Sequence, residues 1–142
     1  MLKGIDPRIP PELLYALAQM GHGDTIAIVD ANFPAHSLGE WVITSPVGLT
    51  DAVRMVLSLM PLDQFVPSAA TSMQVVGDPE AVPPAIAELA PAVEDAGSNI
   101  QSVERFDFYD IARDAYVVLQ TADTRLYANV VLKKGVISPQ FS

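Results

Sequence analysis

The sequence contains no cysteine. That excludes a disulfide framework, a zinc–thiolate site, an iron–sulfur cluster and a cysteine nucleophile. Basic residues are scarce: eight Lys and Arg stand against 17 Asp and Glu, for a formal net charge of -9. So acidic a chain repels phosphate backbones and anionic lipid, and neither nucleic acid nor a membrane surface is an expected partner. No apolar run approaches the roughly 20 residues of a membrane-spanning helix. The opening Met1-Leu2-Lys3-Gly4-Ile5-Asp6-Pro7 has no apolar core like that of a signal peptide. A cytoplasmic protein is the expectation. Also missing are Gly-x-Gly-x-x-Gly, Gly-x-Ser-x-Gly, His-Glu-x-x-His and Gly-x-x-x-x-Gly-Lys, so hydride transfer, an ordinary serine hydrolase, a zinc protease and a phosphate loop have no support.

Apolar material is what the chain has. Half of its 142 residues are hydrophobic. That suffices for one domain, residues 1–142, with a real core, and it rules out wholesale disorder. The mean hydropathy of +0.29 is high for a small monomer. Apolar surface buried between subunits would explain it.

Pro10-Pro11-Glu12 opens a helix, and Leu13, Leu14, Leu17, Ala18 and Met20 repeat at helical spacing until Gly21. Thr25 to Val29 reads as a buried strand covered on both faces. Residues 31–40 form a loop and Trp41 to Thr44 a brief strand. Leu49 to Met60 fits a helix, Ser72 to Val76 a strand, and a helix starts near Pro84, kinked or interrupted by Pro91. Ile100 to Phe106 reads as an alternating strand, Phe108 to Ala115 as a helix, and Tyr116 to Thr121 and Tyr127 to Leu132 as two closing strands. The alternation predicts an α/β layered domain. The closing strands are joined too tightly for a parallel crossover, which predicts a mixed sheet.

Several residue groups can carry chemistry. In Gly21-His22-Gly23-Asp24 the glycines leave the imidazole uncrowded, and histidine suits proton transfer near neutral pH. A capping turn with a surface histidine is the plain alternative. Asp30 ends an apolar strand, where α/β proteins place binding crevices, though it could equally cap the next turn. His22 and His36 with Asp24 and Asp30 could in principle hold a metal, but their spacing matches no metal motif, and no metal is expected. Arg105-Phe106-Asp107-Phe108-Tyr109-Asp110 mixes aromatic faces suited to sugar rings with groups that bond hydroxyls, or else is a strand-to-helix junction with its phenylalanines in the core. Tyr127 and Asn129, two apart on a strand, would face one ligand or form a polar edge. Lys133-Lys134-Gly135 reads as a solvated strand end.

Taken in order, these segments resemble a known family. Pro11-Glu12-Leu13-Leu14, Met20-Gly21-His22-Gly23-Asp24, Asp30-Ala31-Asn32-Phe33-Pro34-Ala35-His36-Ser37, Arg105-Phe106-Asp107-Phe108-Tyr109 and Tyr127-Ala128-Asn129-Val130-Val131-Leu132-Lys133-Lys134-Gly135-Val136 are similar to the L-fucose mutarotase and D-ribose pyranase family. The likeness runs to about Val136 and is loose over 62–98. Arg-Phe-x-Phe-Tyr favours the fucose branch. Asn32 departs from it, since that branch has histidine there. The resemblance implies a cofactor-free cytoplasmic enzyme that interconverts anomers of a free monosaccharide, L-fucose first. It implies a three-layer α/β sandwich with a mixed β-sheet flanked by helices, assembled as a homo-oligomer in rings, often a decamer. It matches His22 to the catalytic histidine, and Asp30, Arg105, Tyr127, Ala128 and Asn129 to sugar-binding positions. A non-catalytic sugar-binding module, a structural ring protein and a ribose pyranase are the rival readings.

Overall fold

Proline at the first helical turn starts the fold as expected, and the chain then alternates helix and strand. In the computed structural model, which describes residues 1–139, the elements are α1 (Pro11–Gln19), β1 (Thr25–Val29), α2 (Ala35–Leu38), β2 (Val42–Thr44), α3 (Leu49–Leu57), β3 (Ala70–Met73), α4 (Pro84–Asp95), β4 (Ile100–Val103), α5 (Arg105–Arg113), β5 (Val117–Gln120) and β6 (Val130–Lys133). The strands form one mixed sheet in the order β2-β5-β1-β6-β3-β4. β5 runs parallel to β1 and β2, and β4 parallel to β3. β6 is antiparallel to both of its neighbours, β1 and β3.

Period-two alternation makes the layers. Ile26, Ile28, Val117, Leu119, Val130 and Leu132 point to one face, against Leu13 and Leu17 of α1, Leu49 and Val53 of α3, and Leu89 and Val93 of α4. Ala27, Val29, Val118 and Val131 point to the other, against Ala35 of α2 and Phe108 and Ala112 of α5. The result is the three-layer α/β sandwich that the family resemblance implies. β1 is buried on both sides, and each of its large side chains contributes about 1.5–3 kcal/mol by burial.

Five expectations change in detail. β5 and β6 do not pair: β1 lies between them, so the sheet is mixed because β6 alone is reversed, not because of a hairpin. β3 starts two residues before the expected strand, since small Ala70, Thr71 and Ser72 carry the ladder to β6 while Val75 turns back to bridge Asp78. β4 stops at Val103 and α5 begins at Arg105 rather than Phe108, because the Glu104 carboxylate caps the helix by accepting the Asp107 N–H at 2.8 Å. The loop after β1 holds a one-turn helix, α2. α4 continues through Pro91, which sits on its exposed side.

Lys134 is not a solvated strand end. Its ammonium donates to the carbonyls of Leu17 (2.8 Å) and Met20 (2.5 Å), satisfying the C-terminal end of α1. Gly135 is just as constrained, since a Cβ there would lie 2.5 Å from the Leu62 carbonyl oxygen.

Direction decides what the two edges of the sheet hold. The C-terminal ends of β1, β3, β4 and β5 and the start of β6 share one edge. The approach to β1, the approach to β3 and the end of β6 share the other.

Candidate functional site

Open α/β sheets place ligands beyond the carboxyl ends of their parallel strands. Here that edge collects Asp30 after β1, Arg105 after β4, and Tyr127 and Asn129 before β6. The reversal of β6 is what brings the last two to it. Asp30, Asn32, Arg105, Tyr109, Tyr127 and Asn129 line a cavity of about 210 Å³, closed on its apolar side by Phe33, Pro34, Met73, Val76 and Leu126. A larger hollow of about 390 Å³ lies between β3, β4 and α4, and none of the sequence-predicted site residues lines it.

Each polar group is held by the backbone around it. The Asp30 N–H donates to Asn129 Oδ1 at 2.8 Å, and Asp30 Oδ1 accepts the Asn32 N–H at 2.9 Å. Burial pushes the Asp30 carboxyl above its ordinary value, against the opposing pull of hydrogen bonds from the Asn32 backbone and the Asn129 side chain. The Asp30 loop is tied down by Gln120, whose amide donates to the Phe33 carbonyl at 3.1 Å. Asn129 is 2% exposed, and its Oδ1 is occupied by the Asp30 N–H. Ala128, between Tyr127 and Asn129, is fully buried and does not line the cavity, so the structure does not bring this sequence-predicted position into the site.

Arg105 opens α5, its guanidinium carbon 4.6 Å from the Phe106 ring centroid. Its Nε is buried without a hydrogen-bond partner, which costs about 1–3 kcal/mol. Tyr109, one helical turn on, meets Phe33 and Phe106 edge-on and stiffens the wall.

Tyr127 is not on a strand. It has φ 59°, the only positive φ outside glycine among the described residues. A tyrosine held there costs about 1–3 kcal/mol, a pattern concentrated at functional sites. Its hydroxyl accepts the Val76 N–H at 3.1 Å, which leaves the O–H free to donate. Tyr127 and Asn129 therefore do face one cavity, through a left-handed turn rather than strand alternation.

His22 is elsewhere. It precedes β1, and the five residues of that strand separate it from Asp30 by about 17 Å or more. Its Nε2 lies 3.1 Å from Asp63 Oδ1, and its ring packs on Phe65 at 5.5 Å. The Phe65 N–H, then the His22 hydrogen bond, hold the Asp63 carboxyl below its ordinary value. An ionised carboxylate only accepts, so Asp63 fixes the proton on Nε2 and leaves Nδ1 open. The turn itself is braced by the Asp24 carboxylate, which accepts the Gly21 N–H at 2.7 Å. His36 is on α2, beyond the other end of β1, so the two histidines do not converge, and among the described residues no three His, Asp or Glu side chains cluster to hold a metal.

Asp63 is the residue the sequence reading missed. Nothing local marks Leu62-Asp63-Gln64, and only the pairing of Leu62 with Lys134 carries it to His22. Tyr109 was findable, since it lies four residues after Arg105 and so on the same helix face.

Residues 3–137 match the RbsD / FucU transport protein family. The chain belongs to that family. The match includes the middle of the sequence, where the motifs are sparse. Among RbsD / FucU relatives, the L-fucose mutarotase of Actinobacillus pleuropneumoniae is 43% identical over 142 residues, covering 96% of this chain and 97% of its own. The fucose mutarotase of Homo sapiens is 40% identical over 146 residues, covering 96% of this chain and 95% of its own. The crystal structure of the fucose mutarotase in complex with L-fucose from Streptococcus pneumoniae superposes with a TM-score of 0.90 at 38% identity, covering 96% of this chain and 100% of that one.

Proposed function

We propose that the protein is an L-fucose mutarotase, interconverting the α and β anomers of the free sugar by acid/base-assisted ring opening and reclosure. The observation that carries this is the convergence of Asp30, Arg105, Tyr127 and Asn129 on one small cavity, in a chain of this family. Mutarotation removes a proton from the anomeric hydroxyl and delivers one to the ring oxygen. The bond from C1 to that oxygen breaks, the open aldehyde turns about C1–C2, and the ring recloses on the other face. The sugar does this slowly in water, so about 10²–10⁴-fold from general acid–base catalysis, with positioning, is enough. No cofactor enters the scheme.

His22 is the general acid/base in this reading, with Nδ1 as the working nitrogen. Asp30, made more basic by burial, accepts a sugar hydroxyl. The Arg105 guanidinium donates to a hydroxyl or to the ring oxygen. Tyr127 donates its phenol proton and can relay it. Asn129 completes the hydroxyl array. Asn32 can bind but not transfer a proton at neutral pH, so the imidazole must come from another position.

Because His22 and the cavity lie at opposite sheet edges, the proposed site takes its imidazole from a second copy of the chain. The enzyme is then a homo-oligomer, in our reading a ring-based decamer, cytoplasmic, with a free monosaccharide as its partner. Two exposed apolar patches support the assembly. Phe65, 77% exposed, stands beside His22, and Val76, Phe106 and Leu126, each more than half exposed, belong to the cavity region.

Anomer exchange of L-fucose by saturation-difference NMR tests the proposal. Wild type is expected to exchange the anomers well above buffer, and His22→Ala to lose about 100-fold or more of that gain. Equal rates in the two proteins would remove His22 from its role. Exchange no faster than buffer in wild type would leave only a sugar-binding module.

A further inference from the structure

The segment joining β5 to β6 is the least regular part of the site, and the side chain that anchors it is not in the site. Arg125 lies two residues before Tyr127. Its Nε and Nη2 donate to the two oxygens of Asp123 at 3.0 and 2.8 Å. Its Nη1 and Nη2 donate to the two oxygens of Glu88, on α4, at 3.0 and 3.3 Å. One guanidinium thus joins the segment to a helix on the far side of the core. Glu88 also accepts the Thr50 hydroxyl of α3.

Asp123 extends the anchor to the rest of the edge. It is 6% exposed, and its Oδ2 accepts the Leu49 N–H at the start of α3 at 2.9 Å. Its carbonyl accepts the Ala31 N–H, next to Asp30, at 2.8 Å. The segment is therefore fixed at both of its tasks: behind, to α3 and α4, and in front, to the loop that carries Asp30. Beyond this anchor the chain enters the left-handed turn at Tyr127, a conformation that is uncommon and costly for tyrosine. At the other end only the Val76 N–H holds the phenol.

We propose that Arg125, clamped between Asp123 and Glu88, is a positioning residue for Tyr127: it imposes the backbone turn that presents the phenol to the sugar. Arg is required rather than Lys, because two carboxylates are bridged by a planar fork of donors that a point charge cannot match. The proposal rests on the reading of Tyr127 as a sugar-binding group, and the test separates the two.

Anomer exchange of L-fucose is measured against sugar concentration for Arg125→Ala, Arg125→Lys, Glu88→Gln, Tyr127→Phe and the double variants with Tyr127→Phe. Arg125→Ala is expected to raise KM about three- to tenfold, within the coupling range of residues joined through a backbone shift. Arg125→Lys should recover only part of this. Glu88→Gln should shift KM the same way by less, and since Glu88 is on the surface it keeps the test open should Arg125→Ala fold poorly. In the Tyr127→Phe background both changes should lose their effect. Equal effects with and without the Tyr127 hydroxyl would overturn the proposal, because Arg125 would then serve stability alone. So would wild-type kinetics in folded Arg125→Ala and Glu88→Gln. Wild-type exchange by Tyr127→Phe would be a different failure, removing Tyr127 from the site and the proposal with it.

Discussion

Asp30 holds a carboxyl where water would hold it better. Its pKa lies above the ordinary 3.8, first because burial disfavours the charge. The sign follows from proton uptake: the folded state binds a proton more readily than the unfolded one. Asp30 therefore contributes stability that is full below 3.8 and lost as pH rises through its folded value. Asp123, lowered to about 2 mainly by Arg125, acts the other way, its contribution full above 3.8 and lost as pH falls through about 2. Comparing wild type with Asp30→Asn cancels Asp123 and isolates Asp30. The variant should melt higher at pH 7, the gap should close as pH drops below 4, and exchange of L-fucose should fall. A lower melting point at pH 7 would show that the hydrogen bonds to the carboxylate outweigh its desolvation. At this scale the sequence was legible where a residue sits in a dense motif, as with Asp30 and Arg105. It was silent on Asp63, whose partner His22 is 41 residues away. It misread Lys134, because a lysine closing a helix end and a lysine in water look alike in one dimension.

Elements set the aim of the site groups, and α5 aims two of them, Arg105 and Tyr109. Its start depends on the Glu104 carboxylate that accepts the Asp107 N–H. Loss of such a cap costs about 1 kcal/mol. Glu104→Ala should destabilise the protein by about that much in urea unfolding and raise KM for L-fucose, while Glu104→Asp, a favourable cap residue, should restore most of both. An unchanged KM with lowered stability would separate the cap from the site. The layers and most of the elements were legible from hydrophobic period, since β1, α1 and α3 bury what their patterns say they bury. Boundaries near the site were not. Ile100 to Phe106 alternates well enough for a strand, yet Glu104 ends it by serving the helix. Tyr127 has high strand propensity, yet its turn is imposed by Arg125 and Asp123, which no local pattern reveals.

For the whole molecule, the sheet's one reversed strand has a consequence for assembly. Reversal of β6 puts Tyr127 and Asn129 at the edge where Asp30 and Arg105 end, and puts Lys134, with the His22 turn and Asp63, at the other. Within one subunit the cavity of Asp30 and Arg105 and the imidazole of His22 therefore lie apart. In the proposed chemistry the two halves meet between copies, and complementation must follow. His22→Ala and Asp30→Asn proteins, each impaired as a pure assembly, should regain activity when dissociated, mixed and reassembled. With random partners in a one-to-one mixture, about a quarter of interfaces pair an intact His22 with an intact Asp30 pocket, so about a quarter of wild-type exchange should return. The rise should track formation of mixed assemblies by native mass spectrometry. Mixed assemblies without recovered exchange would mean that one chain supplies both groups, which the spacing along β1 forbids in the fold described, and His22 would have to be abandoned as the proton carrier.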